Sequence, residues 1–125
     1  MPLLEFFTVC GSARREGATE TADGANILTD FFPASLPDAL AKATVISSWK
    51  LTSKDKGRDW QATLVVKSPG RDAAAFSLSL SNNLRRYQHI REILAIPVEE
   101  AGDLLFEMLL NGKTVATHTV TVHAP

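Results

Sequence analysis

A strict two-residue alternation of apolar and polar side chains in the middle of the chain most constrains its fold. Trp60–Lys67 and Ala74–Ser81 both place an apolar residue at every second position. This period puts one face of a β-strand on a core and the other face in water. Pro69 and Gly70, which lie between the two segments, are typical of a tight turn. The two segments therefore predict a β-hairpin.

A second hairpin is predicted near the C-terminus. Leu104–Leu110 and Lys113–Val122 flank Asn111 and Gly112, the favoured pair for a two-residue type I′ turn. We expect an antiparallel pair of strands here.

The register of this second hairpin conflicts with its hydrophobic pattern. The turn places Met108 opposite Val115 on one face, whereas Val120 and Val122 fall on the other face. A β-bulge inserts one residue and so restores the alternation. We predict such a bulge near Thr117–Thr119.

Other segments predict further strands, and one of them is ambiguous. Strand-like composition is found in Leu3–Cys10, Ala25–Phe32 and Thr44–Leu51, and the two prolines of Pro33–Lys42 leave room for at most a short helical turn at Asp38–Ala41. Between residues 84 and 94, helical spacing relates four apolar side chains: Leu84, Tyr87, Ile90 and Leu94. If the same region is a strand, one face carries four apolar side chains at even-numbered positions: Ile90, Leu94, Ile96 and Val98. We choose a strand over Ile90–Val98, because neighbouring strands would otherwise lack a partner.

About eight short strands joined by turns indicate two packed antiparallel sheets in a single all-β domain spanning residues 1–125. Residues 10–17 and 24–28, together with 96–107 and the Asn111–Gly112 hairpin, resemble small bacterial immunoglobulin-like β-sandwich proteins of unassigned function. The resemblance covers about half the chain. It implies an immunoglobulin-like antiparallel β-sandwich, and it implies no activity and no functional residue.

The charge balance and the N-terminal sequence limit which partners and which compartment are expected. The formal net charge is -1, whereas binding to nucleic acid or an anionic membrane needs a basic excess. We therefore expect neither nucleic acid nor membrane as a partner. Glu5 interrupts the first apolar stretch, and no basic residue precedes it, which argues against a signal peptide. A cytoplasmic protein is predicted.

The chemistry-bearing residues form no recognisable catalytic, metal or cofactor motif. His89, His118 and His123 lack the short spacings of a zinc site, and Cys10 has no neighbouring base in the sequence. We predict that the protein is not an enzyme, and that it has no catalytic residues, no metal and no cofactor.

Two tryptophans bracket a charged loop that could contact a partner. Basic Lys54, Lys56 and Arg58 lie between Trp49 and Trp60. The parity of the two tryptophans places both in the core. The alternative is that they form a platform for a carbohydrate or another small ligand.

The remaining candidate is a sheet edge. The stretch from Ala73 to Leu84 is long and uncharged, and unpaired edges recruit partners unless they are blunted. An internal strand is the alternative for this stretch. We predict a non-catalytic module that binds a protein partner or itself, and self-binding could form a homodimer. The candidate surface consists of Lys54, Lys56, Arg58, Ser77 and Ser79. The alternative function is carbohydrate or small-ligand binding.

Overall fold

The computed structural model describes residues 2–11, 15–16, 19–20, 27–52, 60–80 and 86–125. All elements in these residues are β-strands, so the predicted all-β class is confirmed. In chain order they are β1 (Leu3–Cys10), β2 (Arg15–Glu16), β3 (Thr19–Glu20), β4 (Asp30–Phe31), β5 (Asp38–Lys50), β6 (Trp60–Lys67), β7 (Ala74–Leu80), β8 (Arg86–Val98), β9 (Gly102–Leu110) and β10 (Lys113–Val122). No helix in the described residues is long and apolar enough to cross a bilayer.

One sheet has three antiparallel strands in the order β1-β5-β8. The long β5 is its centre: Val45 pairs with Val9 of β1 on one side and with Arg91 of β8 on the other. β1 and β8 are therefore the two edges of this sheet.

The second sheet has five strands in the order β4-β10-β9-β6-β7. Its pairs are antiparallel except that of β4 with β10, which is parallel. β2 and β3 form a separate two-stranded pair. The alternating segments of the sequence thus become β6 and β7, and β7 forms one edge.

Side chains from both sheets pack into one core. Trp49, Phe106, Leu104 and Val98 are each 0% exposed. Burying a large apolar side chain contributes about 1.5–3 kcal/mol. Because these buried residues come from both sheets, the two sheets pack face to face. The period-two pattern arises, as predicted, because alternate side chains of each strand enter this core.

The C-terminal hairpin has the predicted turn and a bulge at a different position. Asn111 and Gly112 have φ values of 48° and 83°, as a type I′ turn requires. The register shifts between Thr114 and Ala116, so Val115 is the bulged residue and is 41% exposed. The expected position near Thr117–Thr119 was wrong. With Val115 taken out of the alternation, the later valines of β10 reach the core.

The expected helical turn at Asp38–Ala41 is wrong, because these residues begin β5. Leu40 pairs with Ile96 and is 8% exposed. This pairing spans a long sequence separation, and burial of Leu40 outweighs the local turn preference of the two prolines before it.

Residues 86–98 form a strand, which confirms the choice of strand over helix, although their alternation is interrupted. Ile90 and Leu94 are 50% and 68% exposed, whereas Ile96 is 5% exposed. Ala95 lies between Leu94 and Ile96 with φ of 54°. This left-handed residue switches the face on which the following side chains lie.

The segment around β4 connects the two sheets. The backbone N–H of Leu28 donates to the carbonyl of Val9 (2.8 Å), and the N–H of Thr121 donates to the carbonyl of Thr29 (2.9 Å). The chain thus passes from the end of β1 to the edge of β10. The strand predicted over Ala25–Phe32 is realised as an Ile27 bridge and β4, and residues 25–26 lie outside the described residues.

Candidate interaction edge

β7 is a seven-residue edge strand without a charged side chain. Among the described residues it pairs with β6 alone. Its even-numbered Leu78 and Leu80 are each 3% exposed, while Ser77 and Ser79 on the other face are exposed. The prediction of an edge within Ala73–Leu84 therefore agrees with the sheet order.

The hydrogen-bond pattern shows which backbone groups of β7 point away from the sheet. The N–H of Asn111 donates to the carbonyl of Gln61 at 3.3 Å, so Gln61 directs its backbone groups toward the β9 side. In an antiparallel sheet these directions alternate from one residue to the next. Ala62 therefore faces β7, where its partner is Leu78.

The same alternation continues along β7. Leu78 and the other even-numbered residues bond to β6, so Ala75, Ser77 and Ser79 direct their N–H and C=O groups outward. Unpaired strand groups of this kind are a template for another strand.

The other edges carry features that oppose strand pairing. β8 contains Arg86, Arg91 and Glu92, and charges on an edge disfavour pairing. Glu92 forms an ion pair with Lys42 at 3.0 Å. β4 has two residues, one of them Asp30, and β1 carries Glu5 and a register shift between Leu4 and Phe6. β7 is thus the long uncharged edge of the described strands.

An aromatic contact joins the β7 edge to the β8 edge. The guanidinium carbon of Arg91 lies 4.4 Å from the centroid of the Phe76 ring. Burial, followed by the charge of Arg91, lowers the pKa of the nearby His89. The edges of the two sheets therefore lie on the same side of the protein.

The predicted surface residues divide into two sets. Ser77 and Ser79 lie exposed on β7. Lys54, Lys56 and Arg58 fall outside the described residues, so the structure does not bring the two sets together.

One tryptophan lies in the core and the other is half-buried against it. Trp49 is 0% exposed and donates its Nε1–H to Ser47 Oγ at 3.1 Å. Trp60 is half-buried and packs against the core cluster. Complete burial of Trp49 removes it from the carbohydrate-platform alternative.

A polar cluster at the opposite edge was missed by the sequence reasoning. His123 Nε2 lies 2.8 Å from Asp30 Oδ1, and the His123 ring stacks on Phe32 with centroids 4.3 Å apart. Hydrogen bonds from His123 and then from Thr29 lower the pKa of Asp30. The residues are 93 positions apart and meet through the parallel β4–β10 pairing, which no local pattern signals.

The described residues also include a shallow cleft and a buried cysteine. The cleft, of about 540 Å³, is lined by Gly70, Arg71, Asp72 and Glu99, and Arg71 pairs with Glu99 across it at 3.4 Å. Burial raises the pKa of the Cys10 thiol. Within the described part of the chain, no group of three or more His, Cys, Asp or Glu side chains is arranged to hold a metal ion.

The described strands define a class: an all-β protein with two packed main sheets, in which β7 lies at an edge and pairs with β6 alone among the described strands. No family model matches the chain, and no curated protein matches it. A similar solved structure is that of Pseudomonas fluorescens alkylpurine DNA glycosylase AlkC bound to DNA containing an abasic site analog. The TM-score is 0.54 at 14% sequence identity, and the match covers 77% of this chain and 28% of the glycosylase chain.

This likeness concerns the fold, and it corrects one prediction. The charge balance led us to exclude nucleic acid as a partner. That exclusion is wrong, because a fold similar to most of this chain occurs within a protein solved on DNA.

Proposed function

We propose that this chain is a non-catalytic binding module that adds an extended polypeptide strand to the free edge of β7. The observation that carries the proposal is the outward direction of the backbone groups of Ala75, Ser77 and Ser79. In strand addition, main-chain hydrogen bonds supply affinity and alternate side chains supply specificity. The buried Leu78 and Leu80 hold the strand on the core and so keep the edge in place.

The fold proposed for this module is the immunoglobulin-like sandwich. In that arrangement strands A, B and E share one sheet, and C, F and G share the other, with an added C′ strand beside C in variable-type domains. Here the sheet orders are β1-β5-β8 and β4-β10-β9-β6-β7. Assigning β5 to B, β6 to C, β7 to C′ and β8 to E reproduces these neighbours, which supports the proposal.

Selection of peptides tests the function. A phage-displayed peptide library is selected on the wild-type protein, and each enriched peptide is then measured against Ser77→Pro and Ser77→Ala. Proline removes the outward N–H of Ser77 and is tolerated on an edge strand whose N–H faces solvent. Alanine keeps that N–H and is the matched control.

The expected result is that enriched peptides bind Ser77→Ala and lose binding to Ser77→Pro. Their addition should shift the amide signals of Ala75, Ser77 and Ser79 in NMR spectra. Peptides that bind both variants equally, or a selection that enriches none, would contradict the proposal. Circular dichroism of Ser77→Pro verifies that the strand content is unchanged.

A second candidate function is contact with duplex DNA, and the likeness to a DNA-bound glycosylase favours it. Several described basic groups are already paired: Lys42 with Glu92, Lys67 with Glu107 and Arg86 with Glu5. Fluorescence anisotropy with a labelled duplex, with and without an abasic-site analogue, tests this candidate. Binding that weakens steeply as salt rises would support it, and an unchanged signal in low salt would remove it.

A further inference from the structure

The sequence of β7 is complementary to itself when a second copy runs antiparallel to it. If Ser77 lies opposite Ser77 of the second copy, Ala75 lies opposite Ser79 and Phe76 lies opposite Leu78. Apolar side chains then meet apolar side chains on the core-facing side, and small side chains meet on the other side. No charged group lies on the strand, so this pairing sets no like charges against each other.

The backbone directions select this register among the alternatives. Ala75, Ser77 and Ser79 are the residues whose N–H and C=O groups point outward. Centring the pair on Ser77 sets all three against outward-pointing residues of the second copy, for about six hydrogen bonds at two per bonded pair. Displacing the centre by one residue, to Phe76 or Leu78, leaves some of these groups unmatched within the strand.

We infer that the partner of the β7 edge is a second copy of this chain, paired antiparallel about a two-fold axis at Ser77. The inference rests on the proposed strand-binding function of this edge and names its occupant. The two five-stranded sheets would become one continuous sheet. A symmetric contact of this kind closes on itself, so it removes the exposed edge without forming a fibre.

The interface between the two paired β7 strands is small, and its size determines how tightly the two copies should associate. Stable interfaces bury about 1,200–2,000 Å² in total, and a single strand of seven residues contributes less than this. We therefore expect a dimer that dissociates on dilution, rather than an obligate one.

Site-directed cross-linking tests the register. In a Cys10→Ala background, which removes the native thiol, Ser77→Cys places two thiols at the symmetry axis. Hydrogen-bonded antiparallel partners have Cα atoms about 5.5 Å apart, within the disulfide range of about 4.4–6.8 Å. The matched control is Ala75→Cys in the same background, because two copies of residue 75 would be displaced by about 13 Å along the strands.

Mild oxidation should convert Ser77→Cys into a covalent dimer and leave Ala75→Cys monomeric. An equimolar mixture of Ala75→Cys and a size-tagged Ser79→Cys should form the mixed dimer. Equal cross-linking of Ser77→Cys and Ala75→Cys would overturn the inference, as would sedimentation of the wild-type protein as a monomer up to millimolar concentration. If these experiments fail while selected peptides still require the Ser77 N–H, self-pairing is wrong and the strand-binding function stands.

Discussion

The guanidinium carbon of Arg91 lies 4.4 Å from the centroid of the Phe76 ring, and this contact joins the edge strands of the two sheets. Arg91 belongs to β8 and Phe76 to β7. A cation over an aromatic face contributes about 0.5–1 kcal/mol at exposed sites and more where it is desolvated. The contact therefore holds β7 against the core through a side chain and does not use the outward-pointing backbone groups of the strand.

Removing this contact should loosen the β7 edge. We expect Arg91→Met, which keeps the apolar stem and removes the charge, to lower the free energy of unfolding by about 0.5–1 kcal/mol. Phe76→Leu supplies the other arm of a double-mutant cycle measured by urea unfolding. Additive effects of the two substitutions would show that the two side chains do not interact.

The type I′ turn should be sensitive to a β-branched residue. Gly112 has φ of 83°, and a Cβ built there meets no atom within 4 Å apart from those of its own residue and its two chain neighbours. The expected loss of more than about 1 kcal/mol in Gly112→Val therefore comes from crowding of the new side chain against its own backbone at positive φ, and not from a clash with the surrounding residues. Thermal unfolding measures it, and Asn111→Gly, which permits the same φ, is the control. An unchanged melting temperature in Gly112→Val would contradict the turn assignment.

Substituting Ala95, the left-handed residue at which the buried face of β8 changes, by glycine or by valine should change the stability of the protein in opposite directions. Ala95 has φ of 54°, a conformation that disfavours side chains by about 1–2 kcal/mol. Ala95→Gly should raise stability by up to about 1 kcal/mol, since added freedom of the unfolded chain offsets part of the gain. Ala95→Val should lower it, because a β-branched residue resists this region. Urea unfolding of both variants tests the assignment, and equal effects would contradict it.

The Asp30–His123 contact predicts a pH dependence with a defined sign. Its hydrogen bonds lower the pKa of Asp30, so the carboxylate contributes stability that is present above the unfolded pKa of about 3.9. That stability is lost as pH falls through the lower folded pKa. NMR titration of the Asp30 carboxyl carbon should show its pKa rising in His123→Ala. A titration unchanged by this substitution would argue against the contact.

Local alternation predicted the elements whose neighbours are close in sequence. β6 has its predicted bounds, β7 covers Ala74–Leu80 of its predicted segment, whose last residue, Ser81, lies outside the described residues, and Asn111–Gly112 forms its predicted turn. Features that depend on distant partners were misplaced or missed. Asp38–Ala41 forms part of a strand because it pairs with the end of β8 around Ile96. Asp30 lies beside His123 because β4 pairs in parallel with β10.

The candidate site divides in the same way. Absence of charge in Ala73–Leu84 is visible in the sequence, and it pointed to edge pairing. Which backbone groups of the strand point outward depends on the alignment of β6 with β9, a long-range relationship that no local pattern encodes. The exposure of Ile90 and Leu94 likewise depends on the conformation of Ala95.

Residue-resolved amide hydrogen exchange on β7 tests the central claim most directly. Exchange is carried out in dilute solution, where the proposed dimer is dissociated, and is read by NMR after quenching. The account predicts slow exchange at Phe76 and Leu78, which bond to β6, and fast exchange at Ala75, Ser77 and Ser79. Uniform protection along the strand at every dilution would contradict a free β7 edge.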